Sequence, residues 1–108
     1  MANTFKLKTK ANVGVTTVGI YTAPAATTTV VIGITMANTA GSGVNVGVGI
    51  TRASSEDIKL LKNAPLPQGS SLEFMAGNKI VLEATDTLTV DSDINNSVDA
   101  ALTIMEIT

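Results

Sequence analysis

The chain has 108 residues, 44% hydrophobic and only 15% charged, with Lys+Arg 7 against Asp+Glu 9 and a formal net charge of −2. That length fits one domain spanning residues 1–108, and sparse, nearly balanced charge excludes bulk electrostatic attraction to nucleic acid or an anionic membrane. The absence of His and Cys excludes disulfides, thiolate metal sites, Cys nucleophiles and an ordinary Ser-His-Asp triad together.

The N-terminal residues Met1-Ala2-Asn3-Thr4-Phe5 show no basic region followed by an apolar stretch, and no segment approaches the ~20 apolar residues of a membrane span. The expectation is a soluble chain without an export signal. The first strand is predicted from Thr4 to Lys10, with Lys6, Lys8 and Lys10 on one face and Phe5 and Leu7 on the other. A second follows from Val15 to Thr22, stopped by Ala23-Pro24-Ala25, which cannot continue a ladder. The third, Thr28 to Met36, places Val30, Ile32, Ile34 and Met36 in one phase, and Asn38-Thr39-Ala40-Gly41-Ser42-Gly43 after it reads as a loop with positive-φ positions.

The most regular segment is the fourth, Val44 to Arg52, where apolar residues hold every even position and Asn45, Gly47, Gly49 and Thr51 the odd ones. Ser54 with Asp57 resembles a helix capping box, but Asn63-Ala64-Pro65 would cut that helix below a stable length, so Ile58 to Lys62 is read as strand. Pro65-Leu66-Pro67-Gln68-Gly69 reads as a rigid crossing and Gly77-Asn78 as a tight hairpin between strands at Ser71 to Ala76 and Lys79 to Ala84. Thr87 to Asp91 and Ser97 to Ile107 complete the set. The last strand carries Val98, Ala100, Leu102 and Ile104 on one face, Ala101, Met105 and Ile107 on the other, and Glu106 in the first, apolar phase. Such a strand is central or covered by a neighbour, and a bulge near Ile104 is one way to switch its register.

About nine short strands separated by turn residues predict an all-β, single-domain antiparallel β-sandwich, jelly-roll or immunoglobulin-like. Its expected core includes Val30, Ile32, Ile34, Val46, Val48, Ile50, Leu72, Phe74, Leu82, Leu88 and Leu102. Candidate chemistry is sparse. Gly47 and Gly49 lie within a strand rather than at a strand-to-helix turn, so they make no phosphate loop; they leave room for a packed neighbour or let the sheet bend. Asp86, Asp91, Asp93 and Asp99 lack the glycine and glutamate spacing of a calcium loop and read as solvated turns. No catalytic residue, cofactor or metal is expected.

Low charge together with a mean hydropathy of +0.34 implies that part of the surface is covered by another subunit, in a homo-oligomer. The expected contacts are Lys6, Lys8 and Lys10, which also protect a sheet edge, and the outer faces at Gly47, Gly49, Ala101, Thr103 and Met105.

The stretch Val18-Gly19-Ile20-Tyr21-Thr22-Ala23-Pro24-Ala25-Ala26-Thr27-Thr28-Thr29, with Leu61-Lys62-Asn63-Ala64-Pro65-Leu66-Pro67-Gln68-Gly69-Ser70-Ser71 and the ending Ile104-Met105-Glu106-Ile107-Thr108, resembles small virion structural proteins of tailed phages, especially marine and cyanobacterial ones. The resemblance implies a β-sandwich subunit present in many copies in a virion, in contact with other virion proteins and copies of itself, with head decoration, neck, tail and fibre positions all open. Where such proteins carry an aromatic pair ahead of the Lys-Asn-Ala-Pro segment, this chain has Ile58-Lys59-Leu60-Leu61, which weighs against stacking on a glycan there. The alternative is a host-surface module presenting loops Asn38 to Gly43 and Asp91 to Asn96 to a glycan or receptor. Scarce aromatics (3%) argue against it, because such residues supply the hot spots of binding sites. With no cofactor expected, thermal midpoints measured in chelator and in added calcium should agree within error; a rise of several degrees with calcium would make Asp91 and Asp93 ligands.

Overall fold

A computed structural model describes residues 3–73 and 79–108. Among these residues the chain forms nine strands: β1 (Asn3–Val13), β2 (Val18–Thr22), β3 (Thr28–Asn38), β4 (Val44–Thr51), β5 (Asp57–Leu66), β6 (Ser71–Glu73), β7 (Ile80–Leu82), β8 (Thr87–Ser92) and β9 (Val98–Ile107). Phe74 and the Gly77-Asn78 hairpin lie outside the described residues. No described helix is long and apolar enough to cross a membrane.

One sheet has the order β1-β9-β3-β6, with β7 also paired to β3, and the other the order β2-β8-β4-β5. All pairings are antiparallel. Because β6 and β7 pair with opposite halves of β3, they fill one strand position, leaving four positions in each sheet. Successive strands alternate between the sheets except at the β4–β5 hairpin and at β6 and β7, which follow one another in the same sheet. That order is a jelly roll, with the first and last strands adjacent, and it excludes the immunoglobulin-like alternative.

The core lies between the sheets. Ile34, Val46, Val48, Ile50, Leu82, Leu88 and Leu102 are buried as expected, and Leu72 packs against them partly buried. Val30 and Ile32 are corrections: Thr29 and Val31 are buried, then Ile34, Met36 and Asn38. The phase changes because a bulge between Val31 and Gly33 inserts one residue of β3 against β9, and an extra residue moves the following side chains to the other face. The expected bulge near Ile104 is therefore on the partner strand. β9 itself alternates without a break, burying Val98, Ala100, Leu102, Ile104 and Glu106, and it is central, paired to β1 and β3.

Two connections also differ from expectation. Pro65 and Leu66 end β5 rather than starting the crossing; β5 is an edge strand, where a missing N–H can face away from the ladder. The Asn38–Gly43 loop contains no positive φ among its residues. Asn38 shapes it with its side chain: Nδ2 donates to the carbonyls of Ser42 (2.9 Å) and Leu66 (3.0 Å), and Oδ1 accepts from the Ala40 N–H (2.8 Å).

Ile34→Ala should cost about 2–5 kcal/mol in chemical denaturation, as buried methyl groups are lost and a cavity is left. Ile32→Ala should cost no more than about 1 kcal/mol, since Ile32 stands outside the core cluster.

Candidate interaction surface

β1 is paired on one side only, and its register with β9 decides which way its side chains face. Lys6 stands opposite Ile104, Lys8 opposite Leu102 and Lys10 opposite Ala100, all three partners buried. Residues directly opposite share a face, so the lysines point toward the sandwich interior along its open edge, where inward charges discourage pairing with another chain. The apolar side of β1 is the one left uncovered, with Phe5 68% and Leu7 65% exposed.

The inward stripe has an internal partner. Glu106 occupies a core-facing position of β9 and is 7% exposed. The Lys6 Nζ lies 2.9 Å from its Oε1, the Tyr21 hydroxyl donates to its Oε2 at 2.6 Å, and Thr29 Oγ1 is 2.8 Å from the same phenol oxygen. Tyr21 comes from β2 and the other three from the opposite sheet, so the cluster ties the sheets together. Burial, then the bond to Glu106, pushes the Tyr21 phenol up to about 12. The bonds from Tyr21 and then Lys6 hold the Glu106 carboxyl below its ordinary value against the effect of burial.

A second clasp holds the turn after β7. Asp86, expected in a solvated turn, is instead buried; its Oδ1 accepts from Arg52 Nε (3.0 Å) and the Ala53 N–H (3.2 Å), its Oδ2 from the Glu83 N–H (3.0 Å). Burial pushes the carboxyl up, but those donors outweigh it and the net shift is downward. The other turn carboxylates have separate protein partners: Asp91 with Thr17 and Lys59, Asp93 with the Asn45 N–H, Asp99 with the Asn12 N–H. No group of three potential ligands is assembled among the described residues.

Ala101, Thr103 and Met105 lie on the outer face of β9. Pairing brings Met105 into one row with Phe5, Val30 and Val81, a continuous apolar band across four strands. Val81 is 55% exposed. Leu7, Thr103 and Gly33 form the next row, and Thr9, Ala101, Thr35 and Glu73 the one after. Beyond the band, a run of small residues leaves a hollow of about 340 Å³ whose lining includes Thr9, Ala11, Thr35, Ala37 and Ala101, with Lys10 and Asp99 also on it. The face therefore carries bulk at one end and space at the other.

Gly47 and Gly49 belong to the other sheet, opposite Asp91 and Thr89 of β8. A Cβ on Gly47 would stand 2.5 Å from Asp91 Oδ1, and one on Gly49 2.7 Å from the Ile58 carbonyl oxygen. Both glycines are buried, so the room they leave is taken by neighbouring strands of the same subunit. The expected contact residues thus divide three ways: Lys6, Lys8 and Lys10 line the inner edge, Gly47 and Gly49 are filled in, and Ala101, Thr103 and Met105 share one open face. Phe5, Leu7, Val30 and Val81 complete that face and were not among the expected contacts, because a period-2 pattern marks the two sides of a strand without saying which is covered.

No protein family and no curated protein matches the sequence. Solved structures do match in fold. A chain from the structure of Bacillus endospore appendages, described as a family of disulfide-linked pili, superposes with a TM-score of 0.60 at 12% identity over 99% of this chain and 87% of that one. A chain from the acid-stable capsid of Helicobacter pylori bacteriophage KHP30 gives 0.60 at 10% identity, over 100% and 94%. One from infectious bursal disease virus, strain Gx, gives 0.53 at 12% identity, over 96% of this chain and 32% of that one. The likeness is one of fold.

The clasp sets a pH signature. Glu106 and Asp86 ionise more readily when folded, so their stabilisation is complete above the ordinary carboxylate pKa of about 4 and disappears as pH falls through their lowered values. The Tyr21 phenol has the opposite sign: its contribution is complete below pH 10 and lost as pH rises toward about 12. Tyr21 is the single tyrosine, so phenolate absorbance should half-titrate near 12 in the folded protein and near 10 in denaturant. Tyr21→Phe should cost about 1–3 kcal/mol through loss of a hydrogen bond to a charged, buried acceptor.

Proposed function

We propose that this chain is a non-enzymatic structural subunit of a virion, present in many copies as a capsid decoration or cement protein or as a neck- or tail-associated subunit. The open apolar face of the five-stranded sheet carries this reading. Exposed apolar bands of this kind mark surfaces that another protein covers, and here the band lies on regular paired strands rather than on mobile loops. The likeness of fold to a bacteriophage capsid chain and a pilus chain supports the same use, as does the resemblance of the sequence to small tailed-phage virion proteins. The disulfide linkage named for the pilus is closed to this chain, which has no cysteine.

Catalysis receives no support from the ionisable groups with shifted pKa values. Tyr21, Glu106, Asp86 and Arg52 are all engaged in the two clasps, where they hold elements together. A host-binding role for the loops is disfavoured too: residues 38–43 and 91–96 contain no aromatic side chain, and Asn38, Asp91 and Asp93 spend their polar groups on neighbouring strands and loop backbone.

Mass spectrometry and cryo-electron microscopy of virions produced from the genome encoding this chain should find it in many copies at symmetry-related positions. Purified particles that lack it, alongside free protein in the lysate, would overturn the proposal.

A further inference from the structure

We infer that the partner covering the outer face of the five-stranded sheet is a second copy of this chain, packed face to face about a two-fold axis so that Phe5 of each copy enters the small-residue hollow of the other. The inference rests on the reading of the chain as an assembling subunit and names the contact, the symmetry and the residues.

Shape is the first argument. Phe5, 68% exposed, stands in the apolar row at one end of the face, and the hollow whose lining includes Ala11, Ala37 and Ala101, with Lys10 and Asp99 beside them, lies toward the other end of the same strands. A two-fold axis in the plane of the face, crossing the strands, reverses their direction in the partner and brings bulk over space at both ends at once. Such a contact is isologous and closes on itself.

Charge is the second argument. Glu73 pairs with Thr35 on the hollow side of the midpoint, and its carboxylate leans back toward Gly33. On the same margin of the sheet, Lys79 precedes β7, whose Val81 is in the apolar row. Both residues are exposed, and neither has a salt-bridge partner among the described residues. The same axis exchanges the two halves of the margin, setting Glu73 of each copy against Lys79 of the other. Edge-to-edge pairing through β1 would instead bring Lys6, Lys8 and Lys10 of two copies together, and like charges across a strand pair are destabilising.

Size is the third. Eleven residues of β1 at about 3.4 Å each, by four strand positions at about 4.8 Å, give a footprint of about 720 Å². That approaches the roughly 800 Å² per partner of a standard stable interface.

Sedimentation velocity at micromolar concentration should show a dimer for the native chain. Glu73→Lys and Lys79→Glu should each sediment as monomers with unchanged circular dichroism, because each variant sets like charges together twice. Mixing the two should restore a dimer of one copy of each, since both charge pairs are then complementary. Phe5→Asp should be monomeric and folded, while Lys62→Glu on the other sheet should remain dimeric. A native chain that stays monomeric at ten times that concentration, or a dimer indifferent to the Phe5, Glu73 and Lys79 variants, would overturn the inference. Either result would leave the virion reading standing, because that reading is tested by particle content and this one by the isolated protein.

Discussion

β9 is hydrogen-bonded along both edges, and its unbroken alternation decides what each neighbour does with its own side chains. Val98, Ala100, Leu102 and Ile104 face the opposite sheet, so every residue of β1 and β3 that pairs with them is carried to the same side. That is why three lysines point toward the interior and Phe5 and Leu7 toward solvent. Reversing the assignment would require β9 to bury Ala101, Thr103 and Met105 instead, and Val98, Leu102 and Ile104 would lose their burial. The apolar area of a central strand outweighs the preference of two residues on an edge, because each fully buried aliphatic side chain is worth about 1.5–3 kcal/mol.

The cost of that choice appears at Glu106, a carboxylate carried into a core position by the same alternation. A carboxylate held there without partners would destabilise the fold. Lys6, reaching in from the exposed edge, and Tyr21, reaching across from the other sheet, supply the opposing charge and a hydrogen bond. The cluster therefore couples three features that the sequence lists separately: the lysine stripe, a lone tyrosine and an acidic residue out of phase. It also gives β1 a tether beyond its ladder, since Val13 is its one buried residue.

The two outer faces have diverged in chemistry. On the four-stranded sheet, threonines, aspartates and Lys59 flank glycines whose space is filled from neighbouring strands, giving a polar face whose Lys59 and Asp91 approach one another. On the five-stranded sheet the corresponding positions are Phe5, Leu7, Val30, Met105 and Val81. Of the two faces, only the apolar one would gain by leaving water.

The sequence by itself was enough for the approximate places of the strands, though not their ends, and for the single-domain sandwich class. Those follow from local causes: the two-residue period from Val44 to Thr51, turn chemistry at Pro24 and Pro67, and the lack of any helical run. It also showed that Gly47 and Gly49 must meet something close and that Glu106 was out of place. Which strands become neighbours, and hence which side of each is covered, was left to the tertiary structure. The phase break at Ile32 arises from a bulge against β9, and β1 turns its apolar side outward because its register is fixed by a strand at the far end of the chain. Alternation along a strand records that its two faces differ; only pairing with a strand whose burial is already settled decides which face meets the core.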